Sequence, residues 1–209
     1  MKTKIVYALL FVCLFASLPS AQAAAPSGSL IVNGSFEDPV LAGSFQFFSS
    51  IPGWQPTGSC GPGIEIDRNA FGAAAEGNQS IELNTTCVNG VSQAVATTPG
   101  ASYSLAFAFA ARPGTTAAQN RMDVRFDGLA VDELGPRAPG AGLQWSLHQY
   151  EVTATGSSAT LSFQGLDLTA TDAVGTELDF VSLVPLVLRA DPWTEIPESV
   201  LLRADEVIQ

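Results

Sequence analysis

The run Tyr103-Ser104-Leu105-Ala106-Phe107-Ala108-Phe109 decides the fold. Large residues alternate with small ones at a period of two, the pattern of a strand that packs one face on a core. A helix would instead group residues three and four apart and scatter this set around its axis. Leu161 and Phe163 repeat the pattern, with Thr160, Ser162 and Gln164 on the other face. Working outward, short apolar or alternating runs are cut by Pro52-Gly53, Gly61-Pro62-Gly63, Asn89-Gly90, Pro99-Gly100, Pro113-Gly114 and Asp127-Gly128. These residues supply the fixed or positive φ of tight turns. Strands are expected near 30–36, 63–68, 79–83, 90–97, 101–111, 121–127, 145–155, 158–166 and 177–185, and no part of this region holds a helical period for three turns. Many short strands with Gly- and Pro-rich turns make an all-β sandwich or jelly roll.

The ends read differently. Lys2 and Lys4 precede an apolar run from Ile5 to Leu18, followed by Pro19-Ser20-Ala21-Gln22-Ala23. A charged start, an apolar middle and a small-residue exit describe a secretory signal peptide, and the run falls short of the roughly 20 residues a membrane span needs. The expected division is a signal peptide at 1–23, a small polar lead at 24–29, one sandwich domain at 30–186 and an acidic tail at 187–209. Cleavage near Ala23 would release a secreted protein with no apolar anchor. The whole chain carries 20 acids against 9 basic residues, a net charge of -11; without residues 1–23, seven arginines and no lysine remain, giving -13. Such a field repels phosphate backbones, so nucleic acid is excluded as a partner.

Cys60 and Cys87 survive that cleavage. In an oxidising compartment such a pair reads as one disulfide, the alternative being two free thiols. Closing a loop of about 27 residues would stabilise by roughly 3–4 kcal/mol in the chain-entropy model. His148 is the single histidine, which removes His-cluster metal sites. The nucleophile elbow, P-loop and zinc-protease signatures are absent from the sequence.

Four constellations remain. Glu37 ends the first expected strand, and Asp179 shares parity with Val181 and Leu183 on the last. An ionised carboxylate near apolar surface is costly. Calcium, which accepts carboxylate and carbonyl oxygens, is one way to hold it, and backbone N–H donors are another. Trp54, Trp145, Tyr103 and Tyr150 are candidates for stacking on sugar rings, or alternatively core residues capping the sandwich. Arg112, Arg121 and Asp67 sit where loops are expected and can bracket hydroxyls or a uronate carboxylate; ordinary surface ion pairing is the alternative. Finally, Glu65, Asp67, Glu76 and Glu82 lie on or beside neighbouring strands and could supply the carboxylate pair of a glycoside hydrolase.

An ordered series of motifs runs through the domain. It comprises Leu30-Ile31-Val32-Asn33-Gly34-Ser35-Phe36-Glu37, Ile51-Pro52-Gly53-Trp54, Gly61-Pro62-Gly63-Ile64-Glu65-Ile66 and Glu76-Gly77-Asn78-Gln79-Ser80-Ile81-Glu82-Leu83. It continues through Val91-Ser92-Gln93, Thr98-Pro99-Gly100-Ala101-Ser102-Tyr103, Trp145, Val152-Thr153-Ala154-Thr155-Gly156 and Leu178-Asp179-Phe180-Val181-Ser182-Leu183. In this order the series resembles the DUF642 family of secreted proteins, found in plant cell walls and in bacteria. The resemblance implies a galactose-binding-like jelly roll, similar to non-catalytic carbohydrate-binding modules. It also implies a structural calcium held by Glu37 and Asp179, with a carbonyl near Asn78 as a further ligand. The family's closing motif usually reads L-D-N-V, and Phe180 stands where that Asn would be. The expected function is a secreted module that binds polysaccharide without cleaving it, with calcium and a Cys60–Cys87 bridge as structural elements. The alternatives are a structural or adhesive surface protein that binds a wall-associated protein, and a weak glycoside hydrolase or esterase.

Overall fold

Alternation at period two becomes strands because successive side chains leave the backbone on opposite faces, so one face can be apolar and the other polar. The computed structural model describes residues 27–58, 63–85, 87–166 and 174–186. Its strands, in chain order, are β1 (Phe45–Phe48), β2 (Gln55–Pro56), β3 (Ile64–Arg68), β4 (Gln79–Glu82), β5 (Gly90–Ala96), β6 (Ser102–Ala110), β7 (Met122–Phe126), β8 (Leu129–Leu134), β9 (Ser146–Thr153), β10 (Ser158–Gly165) and β11 (Glu177–Pro185). One turn of 3-10 helix lies at Ala117–Gln119.

The strands form two antiparallel sheets. One has the order β1-β3-β4-β11-β6-β9, the other β2-β5-β10-β7-β8. The decisive run on β6 puts Leu105, Phe107 and Phe109 inward, where they meet Ile66, Ile81 and Leu178 of their own sheet and Val91, Val124, Leu161 and Phe163 of the opposite one. Phe107 and Phe163 touch edge to face across the core, with ring centroids 5.0 Å apart. The expected all-β sandwich is the fold observed.

The expected first strand at 30–36 does not form. Asn33 and Phe36 take positive φ, 53° and 54°, which breaks an extended run. The segment is nonetheless pinned to β11, since Leu30 N–H donates to the Leu183 carbonyl and Val181 N–H to the Gly34 carbonyl, both at 2.8 Å. Strands β1, β2 and β8 were not anticipated. The first two are too short to show a period, and β8 sits at a sheet edge with a mostly exposed or half-buried surface.

The parity expected for Asp179 is also corrected. On β11, Asp179 pairs with Ala108 and Ser182 with Ala106, so three steps on one strand match two on its neighbour. The extra residue is a bulge at Phe180-Val181, with Phe180 at φ 55°. It puts Asp179 and Ser182 on the sheet's outer face and Leu178 and Leu183 on the inner one. The resemblance puts Asn at position 180, and Asn enters the left-handed region more readily than most residues.

Gly34 lies so close to the bulge that an added Cβ would stand 2.0 Å from the Val181 oxygen. Gly34→Ala is therefore expected to lower stability by about 1–3 kcal/mol in urea unfolding. Gly43→Ala, where a Cβ meets nothing within 4 Å, is expected to stay within about 0.5 kcal/mol of wild type. Equal stability of the two variants would show that the pinned segment does not depend on this close approach.

Candidate functional site

The outer face of the six-stranded sheet carries the polar positions of its strands, and three central strands carry acids there. Glu65 on β3 pairs with Glu82 on β4, and Glu82 pairs with Glu177 on β11. Asp67 is two residues along β3 and pairs with Ser80. Oxygens of Glu65, Asp67 and Glu82 lie within 4.8 Å of one another. All four acids are buried, Glu177 completely.

Few donors reach them. Ser80 Oγ donates to Glu177 Oε2 at 2.7 Å, and the Gly175 N–H donates to Glu82 Oε1 at 2.7 Å. Arg112 Nε stands 3.3 Å from Glu82 Oε2 and supplies the cation of the site. Both oxygens of Asp67 and Oε1 of Glu177 receive no donor. Burial, and then the charges of Glu177 and Glu65, push the Asp67 carboxyl up to about 9. Burial likewise raises Glu65, Glu82 and Glu177, and Arg112 opposes the rise in each.

A rim of larger side chains surrounds this row. The Arg112 guanidinium lies over the Phe71 ring, 4.3 Å from its centroid. Phe71 belongs to the β3–β4 connection, whose Ala73 carbonyl accepts from Trp145 Nε1 at 2.8 Å. On the edge strand β1, Phe45 and Phe47 pair with Asp67 and Glu65 and so share the outer face. They are 55% and 38% exposed and pack edge to face. Toward the opposite edge, Ser104, Gln149, Tyr150, Glu151 and Leu186 line a cavity of about 380 Å³.

Three of the six expected ligand residues therefore meet: Asp67, Arg112 and Trp145. Asp67 lies within β3 and not on a loop. Trp54 and Tyr103 are corrected to core residues. Trp54 is fully buried, its indole N–H donates to the Asn33 carbonyl, and it packs on Phe36 and Phe163. Tyr103 is 3% exposed, and its hydroxyl accepts from the Thr98 N–H. Neither presents a ring face to solvent. Arg121 stands at the start of β7 in the other sheet and pairs with Glu133. His148 is turned inward against Phe107, with its ring 3.4 Å or less from Ser146 and Tyr150 hydroxyls.

Backbone N–H groups reach both carboxylates of the calcium ligand set that the fold family implies. Glu37 Oε1 accepts N–H bonds from Asn78 and Gln79 at 2.5 and 2.7 Å. Gly77 admits this approach, because a Cβ there would stand 2.2 Å from Glu37 Oε1. Asp179 accepts from the N–H groups of Glu76 and Phe180 at 2.8 and 2.6 Å. Burial still raises its pKa, against those bonds. Backbone dipoles thus face both carboxylates. Cys60, the expected signal peptide at 1–23 and the expected tail at 187–209 lie outside the described residues.

Comparison with known proteins gives the fold a context. Residues 29–184 match the family model described as "Protein of unknown function (DUF642)". No curated protein matches in sequence. Among solved structures, the Stig cyclase Fisc from Fischerella sp. TAU superposes with a TM-score of 0.54 at 15% identity, over 78% of this chain and 98% of that one. The apo form of a cyclase from Fischerella sp. gives 0.53 at 16% identity, over 74% and 94%. A xylan-binding domain from CBM 22 gives 0.50 at 15%, over 77% and 97%. One backbone thus serves a cyclase and a binding domain, so chemistry must be argued from side chains.

The raised carboxyls fix a sign for the pH dependence. Below about pH 4 each is protonated in both folded and unfolded chains, and their contribution to stability is whole. Between there and about pH 9 the unfolded chain releases protons that the folded chain keeps, so stability falls as pH rises. In EDTA, the melting temperature is expected to be lower near pH 8.5 than near pH 5.5, with a flatter profile for Asp67→Asn. A profile unchanged by that substitution would remove Asp67 from the account.

Proposed function

The chain belongs to the DUF642 family, and from that premise we propose that it is a secreted, non-catalytic module that binds polysaccharide on the outer face of its six-stranded sheet. The observation that carries this reading is the Phe45–Phe47 pair: two exposed aromatic rings on an edge strand, beside a polar face. Exposed aromatic rings give a sugar's C–H face a flat apolar partner, and polar neighbours orient its hydroxyls. Trp145 and Arg112 extend the rim over the acids, and the groove at Ser104, Gln149 and Glu151 continues the face to its far edge. Six strands spaced about 4.8 Å apart span roughly 24 Å. That length suits an extended polymer better than a single sugar.

The non-catalytic part rests on how the acids sit. Oxygens of Glu65, Asp67 and Glu82 come within 4.8 Å of one another in a buried row, with Arg112 paired to Glu82. A glycosidase pair needs about 5–9.5 Å around its substrate. Secretion rests on the leader at 1–23. Cys87 is disulfide-bonded, and Cys60 is the partner that this reading gives it. Calcium at Glu37, Asp179 and Asn78 is not part of it.

Affinity electrophoresis against soluble glycans, xylan and galactan among them, tests the reading. Retardation is expected with at least one polymer, weakened about fivefold or more by Phe47→Ala and by Trp145→Ala, since losing a stacked ring costs about 1 kcal/mol or more. Trp54→Phe should lower the melting temperature and leave retardation in place. No retardation with any glycan, together with capture of one wall-associated protein, would move the function to protein binding. Release of reducing ends would make the chain a hydrolase.

A further inference from the structure

We propose that Glu65, Asp67 and Glu82 form a calcium site within the sheet, separate from Glu37 and Asp179 and independent of the glycan reading. Two oxygens bound to one calcium ion stand at most about 5 Å apart, because each bond is about 2.3–2.6 Å. The Glu65, Asp67 and Glu82 oxygens satisfy this, all lying within 4.8 Å of one another.

A second observation comes from the unmet hydrogen bonds. Glu177, 0% exposed, is brought to the row by its register with Glu82, and its Oε1 has no donor. Asp67, 2% exposed, has no donor at either oxygen. Buried polar atoms are ordinarily paired, and those left over ask for a ligand. Ser80 and Gly175 satisfy Glu177 Oε2 and Glu82 Oε1, whereas Glu82 Oε2 accepts no hydrogen bond and meets Arg112 only as an ion pair.

Charge and ligand type identify the ion. Ionised, these three carboxylates and the neighbouring Glu177 carry -4, and Arg112 returns one unit through Glu82, leaving -3. A divalent cation reduces this to -1. Oxygen-only ligation selects a hard ion. Magnesium keeps several waters in a strict octahedron, whereas calcium accepts six to eight oxygens in flexible geometry, which suits a buried set of carboxylates. The strand register, not a flexible loop, holds the ligands, so the ion would join β3 and β4.

The test uses the full-length secreted chain, stripped of metal by chelation. Isothermal titration with calcium chloride is expected to show one ion per chain, and saturating calcium to raise the melting temperature by roughly 5 °C, as a ligand bound only by the native state must. Asp67→Asn is expected to abolish both effects and Glu37→Gln to leave both in place. Crystals soaked in manganese are expected to show an anomalous peak between β3 and β4, an observation that needs no variant to fold. The proposal fails on any of three results: no heat and no thermal shift in the wild type, a calcium shift that survives Asp67→Asn, or a manganese peak at Glu37 and Asp179 instead.

Discussion

The last strand of the chain lies in the middle of a sheet, and the arrangement of that sheet depends on it. β11 hydrogen-bonds β4 on one side and β6 on the other. Without it the six-stranded sheet would divide into β1-β3-β4 and β6-β9, and the core would lose Leu178, Val181 and Leu183. The opening segment leans on the same strand through Leu30 and Gly34. Such long-range pairing carries a loop-closure cost that only the completed core offsets. Folding of this half should therefore be cooperative, with the two ends of the domain arriving together.

The same strand sets the chemistry of the outer face. In-register pairing of β3, β4 and β11 aligns Glu65, Glu82 and Glu177 in one row, and like charges directly opposite one another are unfavourable. Burial makes this worse, because water no longer screens them. Arg112, drawn in over Phe71, answers part of the cost; proton uptake or a cation answers the rest. A protein does not keep such a row for stability alone, since apolar residues of similar size would pack there at lower cost. Glu37 and Asp179 show the contrasting solution in the same molecule: each buried or half-buried carboxylate is met by backbone N–H groups.

Sequence reading located much of this and misplaced some of it for identifiable reasons. Glu65, Asp67 and Glu82 stood out as acids on neighbouring strands, because β3 and β4 alternate cleanly. Glu177 did not, as it lies at the start of β11 and gains meaning only from its register with Glu82. Asp179 was assigned the wrong face, because a bulge shifts parity by one and leaves no local pattern beyond a residue at positive φ. Trp54 was a fair candidate for sugar stacking on its turn-borne position alone. Its burial follows from the return of residues 33–36 over it, a contact between segments that no window of sequence contains. Phe45 and Phe47 were missed because a four-residue strand is too short to show a period.

The amino-acid sequence by itself determined the fold class, the family and the polar or apolar assignment of most strands, since those depend on local alternation and turn chemistry. Only the tertiary structure decided which acids meet, which aromatic rings reach solvent and which carboxylates lack donors. Those are consequences of strand order and register. They are set by pairings between residues as far apart as Ser80 and Glu177, and a one-residue shift reverses them.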